Sequence, residues 1–112
     1  MNPELQGIFN DTLRDRLYSD TAEGSALPNA AYTSEACHRL EQTTVFRRNW
    51  VFATFAHRIP RLGDMVPAEV GGLPLILLRD DAGEIRCFHN VCSHRGAKLL
   101  VEKKMGRKTL VC

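Results

Sequence analysis

The 112 residues predict a mostly-β fold of short antiparallel strands preceded by one or two N-terminal helices. Three observations carry that expectation. Apolar residues recur at three-to-four spacing in the first part of the chain and in short strand-length runs from Val51 onward. Turn signals, Gly71-Gly72 and Asp80-Asp81-Ala82-Gly83, divide the second part. Helix-starting residues, Asn2-Pro3 and Thr33-Ser34, head both segments of the first part. The expected organisation is a helical lead-in over residues 1–48 and a β domain over residues 49–112.

In chain order, residues 2–18 read as one helix. Asn2 caps it, Pro3 suits its first turn, and Leu5, Ile8, Phe9, Leu13 and Leu17 share a face. Residues 19–31, with Gly24, Ser25, Pro28 and Asn29, read as a connector. Thr33 or Ser34 then caps a second helix, which turns Ala36, Leu40, Phe46 and Trp50 toward a core. Val51 to His57 is the first strand expected. Met65 to Val70 alternates, and Pro67 marks it as an edge strand. Leu73 to Arg79 is an apolar run of strand length, expected to be buried on both faces. Glu84 to Asn90 forms another strand, on which Cys87 reads as a buried small residue and His89 as a core histidine. Leu99 to Glu102 and Lys108 to Val111 are expected to pair as a hairpin.

The length suits one small domain with a core of its own. A net charge of +2 gives no argument for nucleic acid or an anionic membrane as partner. No apolar run approaches the roughly 18 residues that a membrane-spanning helix needs. The first residues lack a secretory pattern, so the expected location is cytoplasmic and the expected state of the thiols is reduced. Cys37, Cys87, Cys92 and Cys112 are therefore read as small apolar residues or metal ligands.

Chemistry concentrates in Cys92-Ser93-His94-Arg95-Gly96 and in Cys112, which ends a strand-like segment. A thiolate and an imidazole two positions apart, joined by a second thiolate further on, suit an iron–sulfur centre with mixed ligands. By itself a Cys-x-His pair is a common accident. Its context is more specific. Phe88-His89-Asn90-Val91-Cys92-Ser93-His94-Arg95-Gly96-Ala97 resembles the first cluster-binding box of Rieske [2Fe–2S] proteins. Phe46-Arg47-Arg48-Asn49-Trp50, Gly63-Asp64, Leu75 to Asp80 and Gly83 to Arg86 stand in the order found in the α subunits of Rieske non-haem iron oxygenases, which the chain resembles. Within that group the chain is most similar to choline, betaine and carnitine monooxygenase-like proteins.

The resemblance implies that Cys92 and Cys112 bind one iron of a [2Fe–2S] cluster and that His94 binds the other. A second histidine, three positions past Cys112, completes the family's pattern and is not among the 112 residues. The chain is accordingly expected to be an N-terminal fragment without the catalytic domain, inactive by itself, and no catalytic residue is assigned. Rieske proteins of respiratory complexes carry an additional loop cysteine where Gly96-Ala97 stands here, so that class is disfavoured. For a full-length oxygenase the resemblance implies a reductase or ferredoxin as electron donor, a mononuclear Fe(II) in the catalytic domain, a small organic substrate and a homotrimer. Two other readings use the same residues. One is a Rieske-type ferredoxin, a carrier only; the other is a structural zinc site on Cys92, His94 and Cys112, which also wants a fourth ligand.

Overall fold

The computed structural model describes residues 2–112, and the chain divides into two compact units, one ending at Arg48 and the other spanning Asn49–Cys112. The first unit is helical: α1 (Pro3–Ile8), α2 (Asp11–Leu17), α3 (Asn29–Thr33) and α4 (Glu35–Glu41), the last continued by a π-helical turn, Gln42–Phe46. Asn2 and Ser34 cap α1 and α4 as their side chains allow.

The single helix expected over residues 2–18 is two helices, and Asn10 is the cause. Its Oδ1 accepts from the Leu13 N–H at 2.9 Å, while its Nδ2 donates to the Gly7 carbonyl at 3.0 Å. A side chain that serves both neighbouring turns competes with the helical ladder and breaks it. Leu5 and Leu13 remain buried, whereas Phe9 and Leu17 are exposed, so the expected apolar face is divided. Leu5, Ala36 and Cys37 form the small core of this unit, with Ile8 against it. Leu40 and Trp50, expected to face a core, are exposed. Beyond Leu40 the Thr43 and Thr44 hydroxyls donate to the Leu40 carbonyl, which accompanies the looser π turn.

The second unit is built on a three-stranded antiparallel sheet in the order β1 (Met65–Val70), β2 (Leu73–Arg79), β3 (Ile85–His89). Gly71 and Gly72 join β1 to β2 with φ of 58° and 71°, the left-handed pair that a two-residue hairpin requires. Proline on β1 is tolerated because β1 lies at the edge. Central β2 buries adjacent residues on opposite faces. Leu77 packs with Ile59 and Val66, while Ile76 packs with Met65 and Leu100. Arg79 extends the order past the sheet: its Nε donates to the Ile59 carbonyl and a terminal nitrogen donates to the Gly83 carbonyl, both at 2.7 Å.

Three expectations fail in this unit. Val51 to His57 is not a strand; it is extended chain ending in a 3₁₀ turn, Ala56–Arg58, with Phe55 ring-packed between Phe52 and His57. Cys87 and His89 are exposed, because β3 has a strand on one side only and is open along its whole length. The hairpin expected over residues 99–111 does not form either. That segment pairs with the entry to β1 instead. Met65 and Lys104 exchange backbone bonds at 2.7 and 2.9 Å, and the Arg107 N–H donates to the Gly63 carbonyl at 2.9 Å. Buried Asp64 accepts from the Gly106 N–H and from the Arg61 N–H, both at 3.0 Å. A carboxylate and a residue without Cβ offer this segment better partners than its own return strand does.

Gly63 is irreplaceable on two counts: its φ is 75°, and a Cβ would lie 2.5 Å from the Arg107 carbonyl oxygen. Gly63→Ala is expected to lower stability by more than the ~1–2 kcal/mol of the left-handed conformation alone, read as a shift of the urea midpoint. A midpoint equal to that of the parent chain would contradict this docking.

Candidate metal centre

β3 ends at His89, and the residue after it governs the loop beyond. Asn90 is buried, and its Oδ1 accepts from the backbone N–H groups of Leu99 and Leu100 at 2.9 Å each. Its Nδ2 donates to the Leu100 carbonyl at 2.6 Å. The chain from 91 to 98 is thereby closed into a loop on one amide. Within it the Cys92 N–H donates to the Ala97 carbonyl and the Gly96 N–H to the Cys92 carbonyl, both at 2.8 Å. Gly96, at φ 69°, permits the tight return.

The loop aims its donors inward on themselves. Cys92 Sγ lies 3.2 Å from His94 Nδ1, and it also receives the backbone N–H groups of His94 and Arg95. The other arm, docked at Gly63 to Met65, brings Cys112 alongside. The ligand atoms of Cys92, His94 and Cys112 all lie within 4.8 Å of one another. Cys92 is half-buried; His94 and Cys112 are exposed. Among the described residues no other Cys, His, Asp or Glu joins this group, so Cys37, Cys87, His57 and His89 stand apart from it.

Hydrogen bonding sets the electrostatics. The His94 side chain, the His94 N–H, the Cys112 thiol and the Arg95 N–H, in decreasing weight, bring the Cys92 thiol from an ordinary 9.0 down to about 7. Each donor favours the thiolate, the form that binds metal. Cys112, which shares a side-chain hydrogen bond with Cys92 and lies beside its charge, is raised. Two thiols and an imidazole on one side of a small domain are donors for iron or zinc. A Rieske cluster takes two sulfurs on one iron and two ring nitrogens on the other. These residues fit three of those four positions and supply the correct donor types.

Sequence reasoning named the three residues that the structure brings together, and it gave Asn90 and Asp64 no part in placing them. Asn90 was read as the end of a strand and as one residue of the cluster-binding box, and Asp64 as one of the Gly63-Asp64 pair.

Known proteins share the domain. The family described as the Rieske [2Fe–2S] domain matches residues 49–112. The chain is 36% identical over 87 residues to the oxygenase subunit of glycine betaine monooxygenase from Chromohalobacter salexigens, covering 78% of this chain and 20% of that protein. It is 41% identical over 78 residues to the large oxygenase component of the naphthalene 1,2-dioxygenase system from Pseudomonas aeruginosa, covering 70% and 17% respectively. Among solved structures, a naphthalene 1,2-dioxygenase variant with phenanthrene superposes with a TM-score of 0.70 at 39% identity, over 80% of this chain and 20% of that one. The quaternary ammonium Rieske monooxygenase CntA with gamma-butyrobetaine gives 0.65 at 27% identity, over 76% and 24%. The chain spans about a fifth of the length of the curated relatives it matches.

The metal-free chain should show the asymmetry of its two loop thiols. Iodoacetamide reacts with thiolate, so alkylation of Cys92 is expected to rise through a midpoint of about pH 7. Cys112 is expected to react only at higher pH. His94→Ala should move the Cys92 midpoint upward. Peptide mapping by mass spectrometry reads both rates, and equal midpoints would contradict the hydrogen-bonded geometry.

Proposed function

The chain belongs to the Rieske [2Fe–2S] domain family, and from that premise we propose that it is the electron-relay part of an oxygenase α subunit. The observation that carries the reading is the convergence of Cys92, His94 and Cys112 from two separately anchored arms. Its relatives in betaine and naphthalene oxidation are oxygenase subunits, which favours this reading over a free-standing Rieske ferredoxin. In it, Cys92 and Cys112 hold one iron as thiolates, and His94 holds the other through Nδ1, the nitrogen that faces the site. The bound cluster supplies one-electron transfer, at a potential in the range of roughly −150 to +300 mV that histidine ligation gives.

The protein's own contribution is placement and charge. Backbone N–H groups directed at Cys92 Sγ stabilise negative charge on sulfur, and the Asn90 clasp fixes the loop before metal arrives. His94 is exposed, and a metal-bound histidine commonly bonds a partner through its other ring nitrogen. The electron donor in this proposal is a reductase or ferredoxin, and the acceptor is a mononuclear iron site of an oxygenase, for which this chain offers no ligand set among the described residues. The unit Asn49–Cys112 forms the cluster domain and residues 1–48 its helical lead-in. Nothing on the chain is assigned a part in choosing a substrate. No helix among the described residues is long and apolar enough to cross a membrane, and the proposed setting is the cytoplasm, where the thiols stay reduced.

Anaerobic reconstitution with iron and sulfide tests the assignment. With three ligands at hand, cluster content is expected below one per chain, and added imidazole, standing in for a second ring nitrogen, is expected to raise it. Visible absorption and an EPR signal on reduction report the product. Cys92→Ser should abolish both, while Cys87→Ser should leave them unchanged. Failure to take up iron and sulfide even with imidazole present would overturn the assignment.

A further inference from the structure

Charge is divided unevenly along the chain. Residues 92–112 hold six cationic side chains and one carboxylate, Glu102, a balance of +5. The other 91 residues hold nine cationic side chains and twelve carboxylates, a balance of −3. We propose that residues 92–112 form a docking surface for an acidic electron-carrier protein, with Arg95, Lys98, Lys103, Lys104, Arg107 and Lys108 as its cationic contacts. The proposal rests on the electron-relay reading, in which a carrier must come close to the donor end of the unit.

A basic stretch by itself is ordinarily a solvated face. Three observations separate this one from that case. The six cations are not neutralised within the chain. Among the described residues the ion pairs join Arg14, Arg39 and Arg86 to nearby carboxylates, and none involves residues 92–112. Five of the six are exposed, and Lys104 is half-buried.

The fold also gathers them. Lys104, Arg107 and Lys108 line a hollow of about 390 Å³ together with Leu99 of the other arm, and its lining extends to Val111, the neighbour of Cys112. Arg95 adjoins His94, and Lys98 adjoins Leu99. The third observation is that apolar side chains lie among the charges: Val101 is 78% and Val111 is 81% exposed, and Met105 is exposed as well. Apolar contacts with a charged rim suit a protein partner, whose sign the charges select and whose encounter they speed. No Phe, Tyr or Trp occurs in residues 92–112 to stack on a base, which sets this surface apart from a groove for single-stranded nucleic acid.

Titration of a dye-labelled, acidic plant-type ferredoxin with the reduced, metal-free 112-residue chain tests the proposal, with fluorescence anisotropy as the readout. Raising NaCl from about 20 mM to about 200 mM shortens the screening length from about 20 Å to about 7 Å, and the dissociation constant is expected to rise by about tenfold or more. At the lower salt Lys103→Glu and Lys108→Glu, both at exposed positions, should each weaken binding by about threefold. Arg58→Glu makes the same change of net charge at an exposed position beside Ile59, which packs on the opposite face of β2 from Leu100. It should bind like the parent chain.

Absence of binding at the lower salt overturns the proposal, as does binding indifferent to salt. An Arg58→Glu chain weakened as much as Lys103→Glu, or equal binding of basic cytochrome c, overturns it too. Displacement of the ferredoxin by an equimolar DNA duplex would assign the surface to nucleic acid instead. Every titration uses the metal-free chain, so failure here is seen separately from failure of iron–sulfur assembly.

Discussion

One buried amide holds the candidate site together. Asn90 sits where β3 gives way to the loop, and its side chain satisfies two backbone donors and one backbone acceptor of Leu99 and Leu100. Away from water such groups are expensive to leave unpaired, each by about 1–3 kcal/mol. Asn90 is the residue type that can do this, since its amide presents a donor and an acceptor on one short stem. The loop it closes carries Cys92 and His94, and Leu100, at the loop's far end, is buried against Met65 and Ile76. Polar clasp and apolar anchor therefore act on the same few atoms of chain.

The second arm is held by the same logic with different parts. Asp64 accepts the Gly106 N–H from inside the fold, and Gly63 lets the Arg107 backbone approach where a side chain would collide. Neither Asp64 nor Gly63 belongs to the donor group itself. Both clasps recognise backbone and not side chains.

Much of this was legible in the sequence. Gly71-Gly72 announced the hairpin because few residues tolerate that backbone, and Pro67 announced an edge because it has no N–H to give. Leu73 to Arg79 reads as a strand buried on both faces since such a strand is continuously apolar. Cys92, His94 and Cys112 stood out because their types and order carry chemistry. What was not legible depends on partners far away in the chain. Residues 99–111 have the composition of a hairpin, but they pair with Gly63 and Met65. Asn10 lies inside the span expected to be one helix, yet its side chain bonds to both adjacent turns. The exposure of Cys87 and His89 depends on which strand lies beside β3, a fact that no local pattern encodes.

The two arms also differ in how far the chain must travel to make them. Asn90 reaches Leu100 across ten residues, whereas Asp64 reaches Gly106 across 42. Closing a longer loop is slower and entropically dearer. Cys92 and His94 can thus meet early, on a loop that needs little beyond β3. Cys112 depends on the longer closure, through Asp64 and Gly106, and so on the sheet and the distant segment together. The pair of nearby donors is a local event, and the third donor reports that the whole unit has folded.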